Sequence, residues 1–70
     1  MNNKEIMKRL QECVDSEAKT IDGCTKLTEF ERYAWKSWTI HGINQAALYL
    51  LSTDEYLKFR SWSREKHGIK

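Results

Sequence analysis

The sequence predicts an all-α protein, a compact bundle of three to four short helices. Its 70 residues contain no proline and only three glycines, so few positions interrupt a helix. Apolar residues recur three or four positions apart, and no run alternates apolar and polar residues as a strand would. The glycines at 23, 42 and 68 divide the chain into segments. We predict helices over 3–20, 28–41, 44–51 and 54–67.

The apolar residues of the first segment fall on one side of a helix when they are placed at about 100° per residue. Asn2 followed by Glu5 resembles a capping box, which favours a helix start there. Gly23 is predicted to end the helix as a left-handed residue just beyond it. We interpret Cys13 as a small core residue and Cys24, in the turn, as an exposed thiol. The predicted inward side consists of Ile6, Leu10, Cys13, Val14, Ala18 and Ile21.

The second segment has apolar residues on two opposite sides. Thr28 and Glu31 form a capping-box pattern at its start, with the apolar Leu27 before it. A straight helix over 28–51 would be apolar nearly all round, and a chain of this length can scarcely bury that much surface. We therefore predict a break or a kink at Gly42, and a kink would leave three helices in all. One side carries Phe30, Ala34 and Trp38, and the other carries Ile40, Ile43, Ala47, Leu50 and Leu51.

The last helix has polar signals at both ends. Ser52 and Glu55 form a third capping-box pattern, and Gly68 is predicted to stop the helix. All segments are expected to share one core within a single domain, 1–70. The predicted core consists of Ile6, Leu10, Val14, Leu27, Phe30, Ala34, Trp38, Ile43, Ala47, Leu50, Leu57 and Phe59.

Composition argues against several classes of function. Cys13 and Cys24 are the only cysteines, no CxxC occurs, and His41 and His67 lie far from both thiols, so no zinc site is expected. The N-terminal segment lacks the apolar core of a signal peptide, and no run of about 20 apolar residues occurs. We expect a cytoplasmic protein with reduced thiols, no membrane association, no metal and no cofactor.

Motifs of catalytic sites are missing as well. The chain has no nucleophile elbow, no phosphate-binding glycine loop and no HExxH sequence. His41 lies beside a predicted helix end and is interpreted as a capping or half-buried histidine. We therefore predict that the protein is not an enzyme and has no catalytic residue.

The aromatic residues favour a docking surface instead. Eight large rings are many for so small a core, because each buries roughly 150–250 Å² when covered. Tyr33, Trp35 and Trp38 point in different directions from one helix, so they cannot all enter the core. We predict a partner-binding surface at Tyr33, Trp35 and Lys36, with Trp35 as an aromatic anchor beside a basic residue. Trp35→Ala is expected to weaken partner binding with little loss of stability.

A second candidate surface lies on the last helix, where Arg60, Trp62 and Arg64 combine an aromatic ring with positive charge. Such a combination can stack on bases and contact phosphates, and residues 43–62 can be aligned with a helix-turn-helix. The alignment departs from that motif at Leu51, where glycine is usual, and at Arg60, where an apolar residue is usual. The net charge of +2 is also small for a nucleic-acid-binding domain.

Together these features favour a small non-enzymatic protein-binding module that acts by occupying a surface of another protein. It would be a regulator or inhibitor of the kind that phages and mobile elements carry, an expectation that rests on small size and missing catalytic motifs. The partner's identity is open, and a homodimer is possible. The alternative is a nucleic-acid-binding protein that uses the basic, aromatic C-terminal helix.

Overall fold

The computed structural model describes residues 2–70, and its three helices confirm the all-α prediction. Helix α1 spans Asn3–Asp22, α2 spans Glu29–Leu50 and α3 spans Thr53–Lys66. Each helix packs against the other two. Within residues 2–70 no helix is both long enough and apolar enough to cross a bilayer.

All three predicted N-terminal caps are present. The Asn2 side chain accepts a hydrogen bond from the backbone of Glu5 at 2.9 Å, and the Ser52 hydroxyl accepts one from Glu55 at 3.4 Å. At the start of α2 the capping box is reciprocal, because Thr28 and Glu31 each accept a bond from the other's backbone N–H. The bond from the Thr28 N–H lowers the pKa of the Glu31 carboxyl, since it favours the charged form. These caps fix where each helix begins.

The two outer glycines behave differently from each other. Gly68 has φ +66°, the left-handed conformation expected of a residue that stops a helix. The same prediction for Gly23 is wrong, because its φ is −78° in the right-handed region. The turn is held instead by Arg32, whose guanidinium donates to the carbonyl oxygens of Cys24 and Leu27. Hydrogen bonds from the Arg32 side chain of α2 thus stabilise the turn after α1, and no left-handed glycine is needed there.

The predicted break at Gly42 is wrong, because α2 runs without interruption from Glu29 to Leu50. Twenty-two residues at about 1.5 Å each make a helix of about 33 Å, and this helix sets the longest dimension of the molecule, 39 Å. Glycine inside a helix costs about 1 kcal/mol relative to alanine. Burial of Ile40 and Asn44, on either side of Gly42 in the sequence, offsets that cost.

The connection between α2 and α3 consists of Leu51 and Ser52 alone. So short a link turns the chain back, and α3 packs antiparallel to α2. The hydrogen bond between Asn44 and Ser63 and the one from the Lys70 backbone to the Tyr33 hydroxyl record this pairing. This antiparallel packing of α3 on α2 determines which side of α2 is buried.

Within residues 2–70 the core is mainly aliphatic, and Phe59 is the one aromatic ring that is fully buried. Val14, Ala47 and Phe59 are buried as predicted, whereas Ile6, Leu10, Leu27, Ala34 and Ile43 are half-buried. The prediction is wrong for Phe30, Trp38, Leu50 and Leu57, which are exposed, and for Cys13, which is also exposed. Cys24 is half-buried rather than exposed, and its thiol donates to the Thr20 carbonyl. The buried apolar residues are Val14, Ala18, Ile21, Ile40, Ala47, Leu51, Phe59 and Ile69.

Candidate docking surface

Helix α2 places its aromatic residues toward solvent. Trp38 is 74% exposed, Tyr49 84% and Phe30 78%, and Trp35 is 42% exposed. At about 100° per residue, Trp38 and Tyr49 lie only about 20° apart around the helix, three turns from each other. Trp35 lies about 60° from Trp38, whereas Phe30 lies about 80° away on the other side. We call Trp35, Trp38 and Tyr49 the aromatic face of α2. The rings therefore remain accessible although the helix has no break.

Much of the aromatic face is free of charge. The sequence has no Asp, Glu, Lys or Arg between Lys36 and Asp54, a span that includes Trp38 and Tyr49. Gly42 lies between these two rings, and a Cβ added there would meet nothing within 4 Å. This surface thus carries no Asp, Glu, Lys or Arg and is open above the helix backbone at Gly42, with the exposed polar residues His41 and Gln45 beside the two rings.

The Trp38 ring has one aromatic neighbour, which limits its freedom without covering it. Its centroid lies 5.9 Å from that of His41, with the two rings perpendicular. This edge-to-face arrangement is favourable for aromatic pairs. Trp38 is therefore held outward by its own helix and remains largely solvent-exposed.

A cleft of about 500 Å³ opens beside the aromatic face, between α2, α3 and the segment that follows α3. Trp38 borders both regions. The cleft contains three cationic side chains, those of Arg60, Arg64 and Lys70, and no acidic side chain lines it. Its further lining consists of Ser37, Ile40, His41, Asn44, Gln45, Tyr56 and Ile69.

Asn44, one of the residues that line the cleft, belongs to a buried polar pair that joins α2 to α3. Asn44 is 6% exposed and Ser63 is fully buried. The Asn44 side-chain amide donates to the Ile40 carbonyl at 3.0 Å and to the Ser63 hydroxyl at 3.2 Å. The Ser63 hydroxyl in turn lies 3.0 Å from the Arg60 carbonyl, to which it can donate. Because buried polar groups are costly unless paired, this pair fixes the register of the two helices.

The structure separates the members of the first predicted surface. Tyr33 and Trp35 are two positions apart, about 200° around the helix, so they face different sides. The Tyr33 hydroxyl accepts a hydrogen bond from the backbone of Lys70 at 3.2 Å. Lys36 pairs with Asp22 at 2.6 Å, and its side chain is only 15% exposed. Of the three, Trp35 alone belongs to the aromatic face.

The second predicted surface is divided as well. Arg60 and Arg64 lie together in the cleft, but Trp62 lies on the opposite side of α3. Its ring stacks on Phe59 with centroids 5.9 Å apart, and the Lys66 ammonium lies 5.2 Å from its centroid. Trp62 therefore packs within the bundle rather than forming part of a patch with the two arginines.

Asp15 of α1 binds two residues at the C-terminal end of α3, Lys66 and His67, whose side chains lie against the Trp62 ring. Its carboxylate is 2.9 Å from the Lys66 ammonium and 3.1 Å from the His67 imidazole. The hydrogen bond from Lys66 is the main cause of the lowered pKa of Asp15, and His67 adds to it. Because the folded pKa is depressed, this contribution to stability is present at neutral pH and is lost as the pH falls through the pKa of Asp15.

Sequence reasoning missed Trp38 and Tyr49 as accessible residues. Trp38 was assigned to the core because it shares a helix side with Phe30 and Ala34. The signal that could have identified both is the long uncharged span between Lys36 and Asp54. This span contains too many polar residues to be buried on all sides, so one side must face solvent. Because the span has no charged residue, that exposed side must be uncharged.

Other chemical features of the described residues are few. Both cysteines are free thiols. Within residues 2–70, no three His, Cys, Asp or Glu side chains are grouped so that they could hold a metal ion. Comparison of the chain with protein-family models, with curated proteins and with solved structures finds no match.

Proposed function

We propose that this protein is a non-enzymatic protein-binding module that occupies a partner's surface with the aromatic face of α2. The observation that carries the proposal is the high exposure of Trp38 and Tyr49 on one side of a continuous helix that has no charged residue between Lys36 and Asp54. Tryptophan and tyrosine are the residues most often found at the energetic centre of protein interfaces. A regulator or inhibitor without catalytic groups acts in this way, by occupying a surface.

The size of the exposed aromatic surface fits such a role. Trp38 and Tyr49 are about three-quarters exposed or more and Trp35 is 42% exposed, which amounts to on the order of 300–500 Å² of ring surface. A specific interface covers about 800 Å² on each partner. The three rings therefore supply about half of one side of a standard interface.

The alternative, nucleic-acid binding through α3 as a recognition helix, has less support. The N-terminal residues of such a helix contact base edges and lie close to phosphates. In α3 these positions carry Asp54 and Glu55, whose charge opposes that of phosphate. The aromatic face, moreover, carries no positive charge between Lys36 and Asp54.

Affinity capture with matched variants tests the proposal. The tagged protein, Trp38→Ala and Tyr49→Ala are compared for the protein they retain from a native lysate, with and without nuclease. Leu57→Ala is the control, because Leu57 is 50% exposed but lies on α3. We expect the wild type to capture one protein in stoichiometric amount, whether or not nuclease is present. Leu57→Ala should capture the same amount. Each ring variant should capture at least about tenfold less.

Two results would overturn this proposal. One is equal capture by the wild type and both ring variants, which would show that the aromatic face is not used. The other is capture that nuclease abolishes, which would favour nucleic acid. Light scattering on the purified chain identifies the case in which the partner is a second copy, since only self-association changes its mass in solution.

A further inference from the structure

The geometry points to the cationic cleft between α2 and α3 as the receptor for a carboxylate-bearing segment of the protein partner. This inference rests on the proposed function, because the cleft adjoins the aromatic face at Trp38. It adds the chemistry of the partner: an apolar surface that covers the rings, followed by an acidic segment that enters the cleft.

The charge in the cleft is not neutralised within the described chain. Of the twelve basic side chains, Lys36, Lys58 and Lys66 are the three that have a carboxylate within 4.0 Å among residues 2–70. Arg60 and Arg64 have none among residues 2–70. Two guanidinium groups therefore face one cavity without a counter-charge, and a carboxylate ligand supplies it.

The arrangement of the two arginines suits carboxylates. They are four positions apart on α3, so they lie on the same side of the helix, one turn apart. Each guanidinium is a planar fork that can donate two parallel hydrogen bonds to one carboxylate. Trp38 and Tyr56 contribute aromatic rings to the lining, and Asn44 contributes a side-chain amide. The cleft can thus hold acidic side chains and the apolar residues between them.

The alternative ligand, a nucleic-acid strand, fits the charge distribution less well. When Arg60, Arg64 and Lys70 are set aside, nine basic side chains remain against ten acidic ones. The positive field is therefore local to the cleft, whereas binding along a strand needs a basic track that follows several phosphates. A short acidic peptide segment needs only the local site.

A peptide titration followed by NMR tests the inference. The probe is a capped hexapeptide of alternating leucine and glutamate, added to the full chain at low ionic strength. We expect shifts at the Arg60 and Arg64 guanidinium Nε–H signals and at the Trp38 indole N–H. The affinity should fall at least about tenfold in Arg60→Gln/Arg64→Gln, because charge-assisted hydrogen bonds are lost.

Three controls make the result specific. The same peptide with glutamine in place of glutamate should not bind. Arg9→Gln/Lys58→Gln removes the same amount of charge from exposed positions outside the cleft and should bind the peptide as the wild type does. A tetrathymidylate of the same net charge as the glutamate peptide should bind more weakly than that peptide.

Three results would overturn the inference: no binding of the glutamate peptide, equal binding of the glutamine peptide, or tighter binding of the tetrathymidylate. Failure of the proposed function is recognised separately through Tyr49, which does not line the cleft. If partner capture is lost in Tyr49→Ala but survives in Arg60→Gln/Arg64→Gln, the proposed function holds and the cleft inference fails. If capture is indifferent to Tyr49→Ala while the peptide still binds, the proposed function of the aromatic face fails and only the carboxylate specificity of the cleft is retained.

Discussion

The two sides of α2 differ in a way that inverts the usual preference of large rings for the core. The buried side carries the small or aliphatic Ile40 and Ala47 and the polar Asn44. The exposed side carries Trp38 and Tyr49. The three helices pack closely against side chains of modest size, and the largest rings of α2 are left outside.

This difference implies that stability and recognition depend on different residues of the same helix. Substitutions on the buried side should change the free energy of unfolding, because they create cavities or unpaired polar groups. Substitutions on the exposed side should change partner binding and leave stability nearly constant. Ile40→Ala, Asn44→Ala and Trp38→Ala test this division, and Gly42→Ala tests the continuity of the helix. They are taken from the largest expected effect on stability to the smallest.

Ile40→Ala should cause the largest loss. Ile40 is 2% exposed within the main apolar cluster, and an isoleucine-to-alanine change at such a site costs about 2–5 kcal/mol. In a chain of this size that loss would leave little of the folded state at 25 °C. Denaturant unfolding followed by circular dichroism measures it, with Ile40→Val as a milder step. Native-like stability of Ile40→Ala would mean that the buried side of α2 does not hold the bundle together.

Asn44→Ala should cost about 1–3 kcal/mol, because it removes the amide that binds the buried Ser63 hydroxyl. Comparison with Ser63→Ala and with the double variant isolates the contribution of the pair. The double variant should lose less than the two single losses combined, since neither group is then left without its partner. Strict additivity would contradict a role for this pair in the register of α2 and α3.

Gly42→Ala should raise stability by about 0.5–1 kcal/mol, because alanine is the better helix former. A Cβ at this position meets no other atom within 4 Å, so nothing offsets the gain. Thermal unfolding should show a melting temperature about 2–8 °C higher. A lower melting temperature would show that the helix needs glycine there, as a break or kink would require.

The continuity of α2 is also where sequence reasoning failed, and the reason is physical. The caps at Asn2, Thr28 and Ser52 were predictable because each depends on residues three positions apart. Which side of α2 is buried was not predictable, because the helix has apolar residues on two opposite sides. Local periodicity does not indicate which of the two sides packs against the other helices. The short link at Leu51 and Ser52 brings α3 back against one side only, which is a tertiary constraint.

The candidate site was predictable in part for the same reason. Trp35, Arg60 and Arg64 were singled out from local composition, and they lie on the aromatic face or in the cleft. Lys36 and Trp62 were singled out by the same argument but are engaged within the bundle, by Asp22 and by Phe59. Local composition does not predict which residue of another segment a side chain will contact.

The smallest effect on stability is expected at Trp38, and Trp35 provides the comparison. Trp35 is 42% exposed and Trp38 is 74% exposed, so alanine at 35 removes more packing than alanine at 38. We expect Trp38→Ala to change the free energy of unfolding by no more than about 0.5 kcal/mol and Trp35→Ala to cost about 1 kcal/mol. If exposure governs anchoring, Trp38→Ala should reduce partner capture more than Trp35→Ala, although it destabilises the protein less. The opposite order in capture would restore Trp35 as the main anchor, and a large drop in melting temperature for Trp38→Ala would show that the ring supports the fold.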